Sequence, residues 1–250
     1  MKIVASVQAR MNSTRLPGKS LLEISTKPIL WHVIHQIKGS KLIDDIIIAT
    51  TKNKEDDAIE NFAREHSFNV YRGREYDLLD RLFRAGKQCN ADVIIRIWGD
   101  CPLIDPQIID DVLKKFINGK YEYANNFKPH TYPFGITFEI YTSDLLEHIW
   151  YEADKMVYRR FPFEYMYDNE NDFKTLYEQN DIDLSHIKLT VDYIEDLNMI
   201  KQIFLQLFDE KNIISMNQVL DFLKKHPELQ SMNKQLKRNI EYNKRKQVMQ

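Results

Sequence analysis

Arg10, Arg15 and Lys19 stand on one short stretch with no acid between them, directly after the apolar run Ile3 to Val7. A loop of that kind is prepared for an anion. Backbone amides and fixed cations at the carboxyl end of a strand converge on phosphate chains, and open α/β sheets bind their ligands along that edge. Two carboxylates have the same relation to later runs: Asp100 follows Val93 to Ile97 in Trp98-Gly99-Asp100-Cys101-Pro102, and Asp192 follows Ile187 to Val191. If both runs are parallel neighbours of the first strand, Asp100 and Asp192 face the edge that carries Arg10 and Lys19. Hard oxygen ligands beside a phosphate chain suit Mg2+. An aspartate after a strand also serves as a turn residue or helix N-cap, so the metal reading rests on the coincidence of both with the basic loop.

The loop ends in Gly18-Lys19-Ser20, which invites comparison with the phosphate-binding loop G-x-x-x-x-G-K-[ST]. Ser13 stands where that motif needs its first glycine, and Pro17 removes one of the amide donors of the cradle. A P-loop NTPase or kinase is therefore the lesser enzymatic reading. A merely solvated basic loop would leave three cations repelling one another. A nucleotide-binding protein without turnover is a further alternative, against which the presence of both Asp100 and Asp192 argues.

These residues need a framework, and the first half of the chain supplies the pattern of one. Ile3 to Val7 is followed by Ile29, Leu30, Val33, Ile34 and Ile37 at helical spacing, then Ile46 to Ala49 by Ala58, Ile59, Phe62 and Ala63. Val70-Tyr71 precedes a helix from about Tyr76 to Lys87, and Val93 to Ile97 precedes one opened by Asp105-Pro106 as N-cap and first position. Strands separated by helices of this length predict a Rossmann-like α/β fold, a mostly parallel sheet with helices on both faces. From about residue 123 to 186 the pattern loosens into an apparent insertion with an alternating strand Ile136 to Tyr141. A strand Ile187 to Val191 and a helix through Leu197, Ile200, Ile203 and Phe204 then return the chain to the sheet. Ser215 to Gln218 has capping-box spacing, and residues 213–250 read as a helical extension.

Composition narrows the partners. With 250 residues, 35 Lys+Arg against 37 Asp+Glu and 43% hydrophobic residues, the chain has an ordinary globular balance and no general commitment to nucleic acid or an anionic membrane. Cys89 and Cys101 are too few for a disulfide framework, and no signal peptide or membrane span is visible, which leads us to expect a cytoplasmic protein. His32 and His35, one helical turn apart, have no third ligand nearby and read as ordinary helix-surface histidines. The basic groups Lys237-Arg238 and Lys244 to Lys246 read as a solvated helix face rather than an RNA contact.

Gln8-Ala9-Arg10-Met11-Asn12-Ser13-Thr14-Arg15-Leu16-Pro17-Gly18-Lys19, Gly99-Asp100-Cys101-Pro102-Leu103-Ile104-Asp105 and Thr190-Val191-Asp192-Tyr193-Ile194-Glu195-Asp196-Leu197 resemble the SpsF-like cytidylyltransferases of spore-coat polysaccharide synthesis, relatives of the acylneuraminate and 3-deoxy-manno-octulosonate cytidylyltransferases. The resemblance runs on through Leu79-Asp80-Arg81, Asn125, Thr131-Tyr132-Pro133, Pro227 and Asn239. It implies the nucleotide-diphospho-sugar transferase fold, with a nucleotidyltransferase domain over 1–212 whose segment 123–186 serves acceptor binding and dimerisation. It further implies CTP as donor, Mg2+ as cofactor and a homodimer acting in glycan synthesis. By the same resemblance Arg10 and Lys19 hold the triphosphate and are the catalytic cations, the Ala9 to Ser13 backbone contributes amides, and Gln8, Ala9, Met11, Asn12 and Ser13 line the nucleotide site. Asp80, Arg81, Gly99 and Asp100 belong to the nucleotide site, and Asp100 and Asp192 are the metal ligands. Asn125, Tyr132, Glu139, Arg159 and Arg160 fall in the acceptor region. Asp80 and Arg81 also read as a helix-surface ion pair.

The acceptor region departs from the family pattern. Phe134 and Thr137 stand where relatives commonly carry acids, and Arg159-Arg160-Phe161-Pro162 replaces a more polar segment. We therefore expect an anionic acceptor: an acidic sugar, or alternatively a phosphomonoester or phosphonate, drawn by Arg159 and Arg160. Either arginine reads equally as a solvated surface charge. Arg15 has no role on this reading.

Overall fold

A computed structural model of the protein describes residues 1–234. The basic groups at 237–238 and 244–246, Asn239 and the end of the helical extension lie outside the described residues.

The first strand, β1 (Ile3–Gln8), is buried along Val4, Ala5 and Val7, as a strand covered on both faces must be. After the basic loop come a two-stranded hairpin, β2 (Glu23–Ile24) and β3 (Lys27–Pro28), and helix α1 (Ile29–Ile37). The β/α alternation continues through β4 (Asp45–Thr51), α2 (Asp57–Glu65), β5 (Asn69–Gly73), α3 (Leu78–Gln88), β6 (Val93–Trp98) and α4 (Pro106–Gly119). Asp105 caps α4 by accepting from the Gln107 amide with Pro106 in the first turn, as the sequence predicts, and its other carboxylate oxygen takes the Met216 amide.

β7 (Tyr123–Asn125), β8 (Phe138–Thr142), helices α5 (Ser143–Glu152), α6 (Met156–Arg160) and α7 (Pro162–Asp168), and β9 (Thr175–Tyr177) form the segment read as an insertion. Its three strands extend the main sheet, whose order is β5-β4-β1-β6-β8-β7-β9. β4, β5 and β6 run parallel with β1, β8 is antiparallel to both β6 and β7, and β9 pairs parallel with β7. The chain ends its described part with α8 (Ile194–Leu207), α9 (Met216–Lys225), which carries the expected Ser215 capping box, and α10 (Pro227–Ser231).

Alternation along the strands sends side chains to opposite faces. Ile3, Ala5 and Val7 join the cluster that also takes the apolar faces of α1, α4, α8 and α9. Ile94 joins the opposite cluster with α3, α5, α6 and α7.

One expected strand is corrected. Ile187 to Val191 forms no ladder with the sheet and is extended with a single parallel bridge from Lys188 to Phe134. Its backbone is held instead by the amides of Phe134 and Leu189, which bond Ile187 and Phe134 carbonyls, and by the Val191 amide, which donates to the Asp100 carbonyl at 2.9 Å. Gly135 makes this approach feasible. Its φ is +106°, and a Cβ there would sit 2.8 Å from the Leu189 carbonyl carbon. Asp192 thus reaches the sheet edge from a strap laid across it, not from a strand within it.

Candidate active site

The carboxyl end of β1 opens on a cleft of about 250 Å3 lined by the basic loop, Glu75, the end of β6, Asp100, Arg160, Phe161 and Asp192. β1 and β6 are in register from Ile3–Val93 to Gln8–Trp98, so their loops leave the sheet side by side. Gly99 permits the closest approach: its amide donates to the Gln8 carbonyl at 2.8 Å, and a Cβ would stand 2.8 Å from that same oxygen. A side chain there would push Asp100 away from the loop.

Lys19 is the centre of the arrangement. Gly18, at φ +71°, turns the chain into a short 3-10 turn that directs Lys19 inward. Its ammonium donates to Asp100 Oδ2 at 2.5 Å, the Val191 carbonyl at 2.8 Å and Asp192 Oδ1 at 2.9 Å. Burial works against this charge, but the two carboxylates outweigh it and hold the Lys19 pKa above its usual value. Burial likewise tends to raise the Asp192 carboxyl, yet Lys19, Arg15 and Lys188 leave it below the ordinary carboxylate range. Arg15, which had no role in the sequence, donates to Asp192 Oδ1 at 2.5 Å and lies over the Tyr193 ring.

The three cations of the loop are therefore not without acids, as the local sequence suggested. Arg10 donates to Glu75 Oε1 at 2.9 Å, and Glu75 comes from the β5–α3 turn. Nor are the loop amides all open. In this arrangement Ala9 donates to the Ala49 carbonyl, Ser13 to the Met11 carbonyl and Met11 to Asp56 Oδ1 at 2.6 Å. Asp56, buried and bonded also by the Thr51 hydroxyl, is a loop-shaping residue that the sequence did not single out. Gln8 lines the cleft and accepts from Arg96 Nε, Ser13 is buried in the loop wall, and Asn12 is exposed at its tip.

Asp80 and Arg81 lie outside the cleft lining. Asp80 takes bonds from Arg84, one helical turn on, and from the Trp150 indole, so the ion pair read between Asp80 and Arg81 does not form. Arg81 is buried and donates to the carbonyls of Arg74 and Glu75, shaping the turn that brings Glu75 to Arg10. Burial, reinforced by Arg10 and Arg96, pushes its pKa down to about 10.

The acceptor candidates separate. Arg160 and Phe161 line the cleft, with the Arg160 guanidinium 4.9 Å from the centre of the exposed Tyr76 ring. Arg159 is placed elsewhere: it forms a two-pronged pair with Asp77, the N-cap of α3, at 3.0 and 2.7 Å, and donates to the Trp150 carbonyl. Successive helix residues point about 100° apart, so only one of the pair can face the cleft. Glu139 is fully buried on β8, paired with Arg96 and bonded by the Tyr123 and Tyr141 hydroxyls. It reaches the cleft only through Arg96, which sits over the Trp98 ring. Asn125 accepts from the Phe127 and Lys128 amides, which shapes the turn after β7, and Tyr132 is buried against the core. Neither lines the cleft.

His32 is not on the surface as expected. It is buried with Nε2 on the Ile24 carbonyl and its pKa lowered to about 4 by burial, whereas His35 stacks on Trp31. Cys89 and Cys101 are free. Among the described residues no helix is long and apolar enough to cross a membrane.

Comparison with known proteins agrees with this geometry. The chain is 36% identical over 237 residues to the uncharacterized protein MJ1063 of Methanocaldococcus jannaschii, covering 93% of this chain and 95% of that one. It is 28% identical over 244 residues to the spore coat polysaccharide biosynthesis protein SpsF of Bacillus subtilis, covering 90% and 95%. A solved cytidylyltransferase from Leptospira borgpetersenii superposes with a TM-score of 0.86 at 33% identity, covering 92% of this chain and 96% of that one. The cytidylyltransferase family profile matches residues 4–246, a span that includes the basic loop, Asp100 and Asp192. A parallel-sheet edge that gathers cations and paired carboxylates in one cleft, on a chain matched almost end to end, makes this protein a nucleotidyltransferase belonging to the cytidylyltransferase family.

Proposed function

We propose that the protein transfers CMP from CTP to a small anionic acceptor, with release of pyrophosphate, in the synthesis of a surface polysaccharide or related glycan. The observation that carries this reading is the convergence of Asp100 and Asp192 on Lys19, beside Arg10 and Arg15, in the cleft at the end of β1. The name of the SpsF relative supports the polysaccharide setting, and Arg160 and Phe161 at the cleft wall support an acceptor with an anionic group and some apolar surface.

In the reaction an acceptor oxygen attacks the α-phosphorus of CTP, a new P–O bond forms, the bond to the bridging α,β-oxygen breaks, and a hydroxyl acceptor gives up its proton to solvent. Pyrophosphate leaves with the electron pair, so charge accumulates on the leaving group. Arg10 and Lys19 stand on the loop that meets the triphosphate, where fixed cations stabilise that charge without reorganisation. Arg10 is held by Glu75, which keeps its guanidinium along the cleft wall before substrate arrives. Lys19 and Arg15 keep Asp192 ionised, and Arg15 helps to orient it. Arg160 holds the acceptor's anionic group, and much of the rate comes from fixing its oxygen in line with the leaving group.

The donor set fits Mg2+. Asp100 and Asp192 offer hard oxygens already close enough to share one cation, here the Lys19 ammonium. Among the described residues no cluster of three or more His, Cys, Asp or Glu stands ready to hold a metal alone, and Mg2+ is commonly held by one or two carboxylates with the rest of its shell from water and substrate phosphates. Bound there, Mg2+ would supply neutralisation of the phosphate oxygens and orientation of the triphosphate. A second copy of the chain, as in a homodimer, belongs to the same reading.

A pyrophosphate-release assay with CTP, Mg2+ and a panel of acidic sugars, phosphomonoesters and phosphonates tests the reading. Stoichiometric pyrophosphate and a CMP-linked product are expected. Release of the γ-phosphate would instead favour an NTPase or kinase.

A further inference from the structure

The strap that carries Asp192 is pinned at one point by the chain's own carboxyl-terminal segment. Asp196, in the first turn of α8, is fully buried, and its Oδ2 receives the Lys188 ammonium at 2.5 Å together with the amides of Asp192 at 3.0 Å and Tyr193 at 2.9 Å. Its other oxygen receives Asn233 Nδ2 at 2.9 Å. The same Asn233 nitrogen donates to the Lys188 carbonyl at 3.1 Å, so one buried amide ties α8 to the strap from outside both.

We infer that Asn233 is a positioning residue for the cation site: by holding Asp196 and the Lys188 backbone it fixes the turn at Asp192, so the segment after α10 sets how tightly a divalent cation binds. The inference rests on the reading of Asp192 as a metal ligand. Three observations make the turn dependent on this contact. Residues 187–191 have no sheet ladder to hold them, only the bridge to Phe134, the Val191 amide on the Asp100 carbonyl and the Lys19 ammonium on the Val191 carbonyl. The Asp196 carboxylate is the common acceptor for both amides of the turn and for the strap's lysine. Lys188 Nζ also lies 3.8 Å from Asp192 Oδ2, close enough to compete for that carboxylate if Asp196 no longer holds it. Loss of the Asn233 amide would leave Asp196 Oδ1 buried with one partner fewer, in a place where water cannot easily replace it.

Partners that orient a metal ligand typically matter about ten- to a hundredfold in affinity. The test uses the full chain and Mn2+ as probe, with bound and free Mn2+ read by electron paramagnetic resonance without acceptor. Asn233→Ala should weaken Mn2+ binding about tenfold or more, Asn233→Ser, which keeps a small donor, should fall between it and the unchanged protein, and Lys234→Ala, an exposed neighbour, should leave binding as it was. In turnover, Asn233→Ala should raise the Mg2+ concentration needed for half-maximal rate while kcat at saturating Mg2+ is largely kept. If Asp192→Asn loses Mn2+ but both folded Asn233 variants bind it like the unchanged protein, the positioning role is wrong and the metal reading stands. If Asp192→Asn itself binds Mn2+ unchanged, Asp192 is not a ligand and both readings are overturned. Should Asn233→Ala not fold, Asn233→Ser decides the question on the same readouts.

Discussion

Lys19 donates to Asp192 across 173 residues of sequence, at 2.9 Å, and the contact joins the loop after the first strand to a strap that is not part of the sheet. Because Lys19 also holds Asp100, one buried ammonium draws the two carboxylates together, and Arg15 adds a second cation on Asp192. The cation proposed to bind the triphosphate and the candidate metal ligands are thereby one electrostatic unit, and changes to any of the three should be strongly coupled.

Lys19→Ala and Asp100→Asn should each lower kcat/KM for CTP by about a hundredfold or more, the scale of removing one charge-stabilising group from a transition state, while circular dichroism shows the fold retained. Near-normal turnover in either would remove the proposed roles.

Lys19→Met should unfold at a lower temperature than the unchanged protein, since Asp100 and Asp192 then face each other with one cation fewer. Added Mg2+ should recover more of that loss than it adds to the unchanged protein. Thermal melts with and without Mg2+ check this, and an equal Mg2+ effect on both proteins would speak against a cation site between the two aspartates.

The acid side of the stability curve should report Asp192. Its carboxyl is held below the usual range in the folded chain, so its contribution is fully present above the unfolded value of about 3.9 and fades as pH falls through the lower folded value. The difference in melting temperature between the unchanged protein and Asp192→Asn should therefore be flat near neutrality and close in strong acid. Lys19 gives the opposite limb: with its folded pKa raised, its contribution is complete below about pH 10.4 and lost as pH rises through the folded value. His32, neutral in the core with a pKa of about 4, adds a loss that begins as pH falls below its unfolded value of about 6.5. Its ring protons in an NMR titration should not shift in the range where an exposed histidine titrates.

Arg159→Ala and Arg160→Ala should separate cleanly. The Arg159 pair with Asp77 is only partly buried, so its loss should cost about 1 kcal/mol of stability and leave acceptor KM unchanged. Arg160→Ala should raise acceptor KM about tenfold, the effect of losing roughly 1.4 kcal/mol of binding to an anionic group, with CTP kinetics nearly intact. Glu139→Gln, which leaves the buried Arg96 without its carboxylate, should destabilise by about 3 kcal/mol, measured by denaturant unfolding.

The parts of the site carried by contiguous sequence were legible. A buried strand ending in a basic loop, and a second ending in Gly99-Asp100, define neighbouring parallel loops once the β/α alternation is read. Asp192 was placed beside them for an incorrect reason, since the alternation of Ile187, Leu189 and Val191 with Lys188 and Thr190 looks alike whether the segment lies in a sheet or is strapped over its edge by Phe134. Glu75, Asp56, Arg96 and the Lys188–Asp196–Asn233 cluster were not singled out, because their partners lie far away in sequence and each alone is an ordinary polar residue. Arg159 and Arg160 are chemically identical in sequence, and only the rotation of α6 assigns one to the cleft and the other to the N-cap of α3. Asp80 lies outside the cleft lining for a similar reason: Arg84, one helical turn on, and Trp150 across the helix pair claim its carboxylate.

Mass spectrometry of the products formed from CTP, Mg2+ and a mixed library of acidic sugars, phosphomonoesters, phosphonates and neutral sugars tests the central claim most directly. The account predicts a CMP-linked product from an anionic member of the library, formed with equimolar pyrophosphate and abolished in Asp100→Asn. A CMP-linked product from neutral sugars only, or inorganic phosphate in place of pyrophosphate, would contradict it.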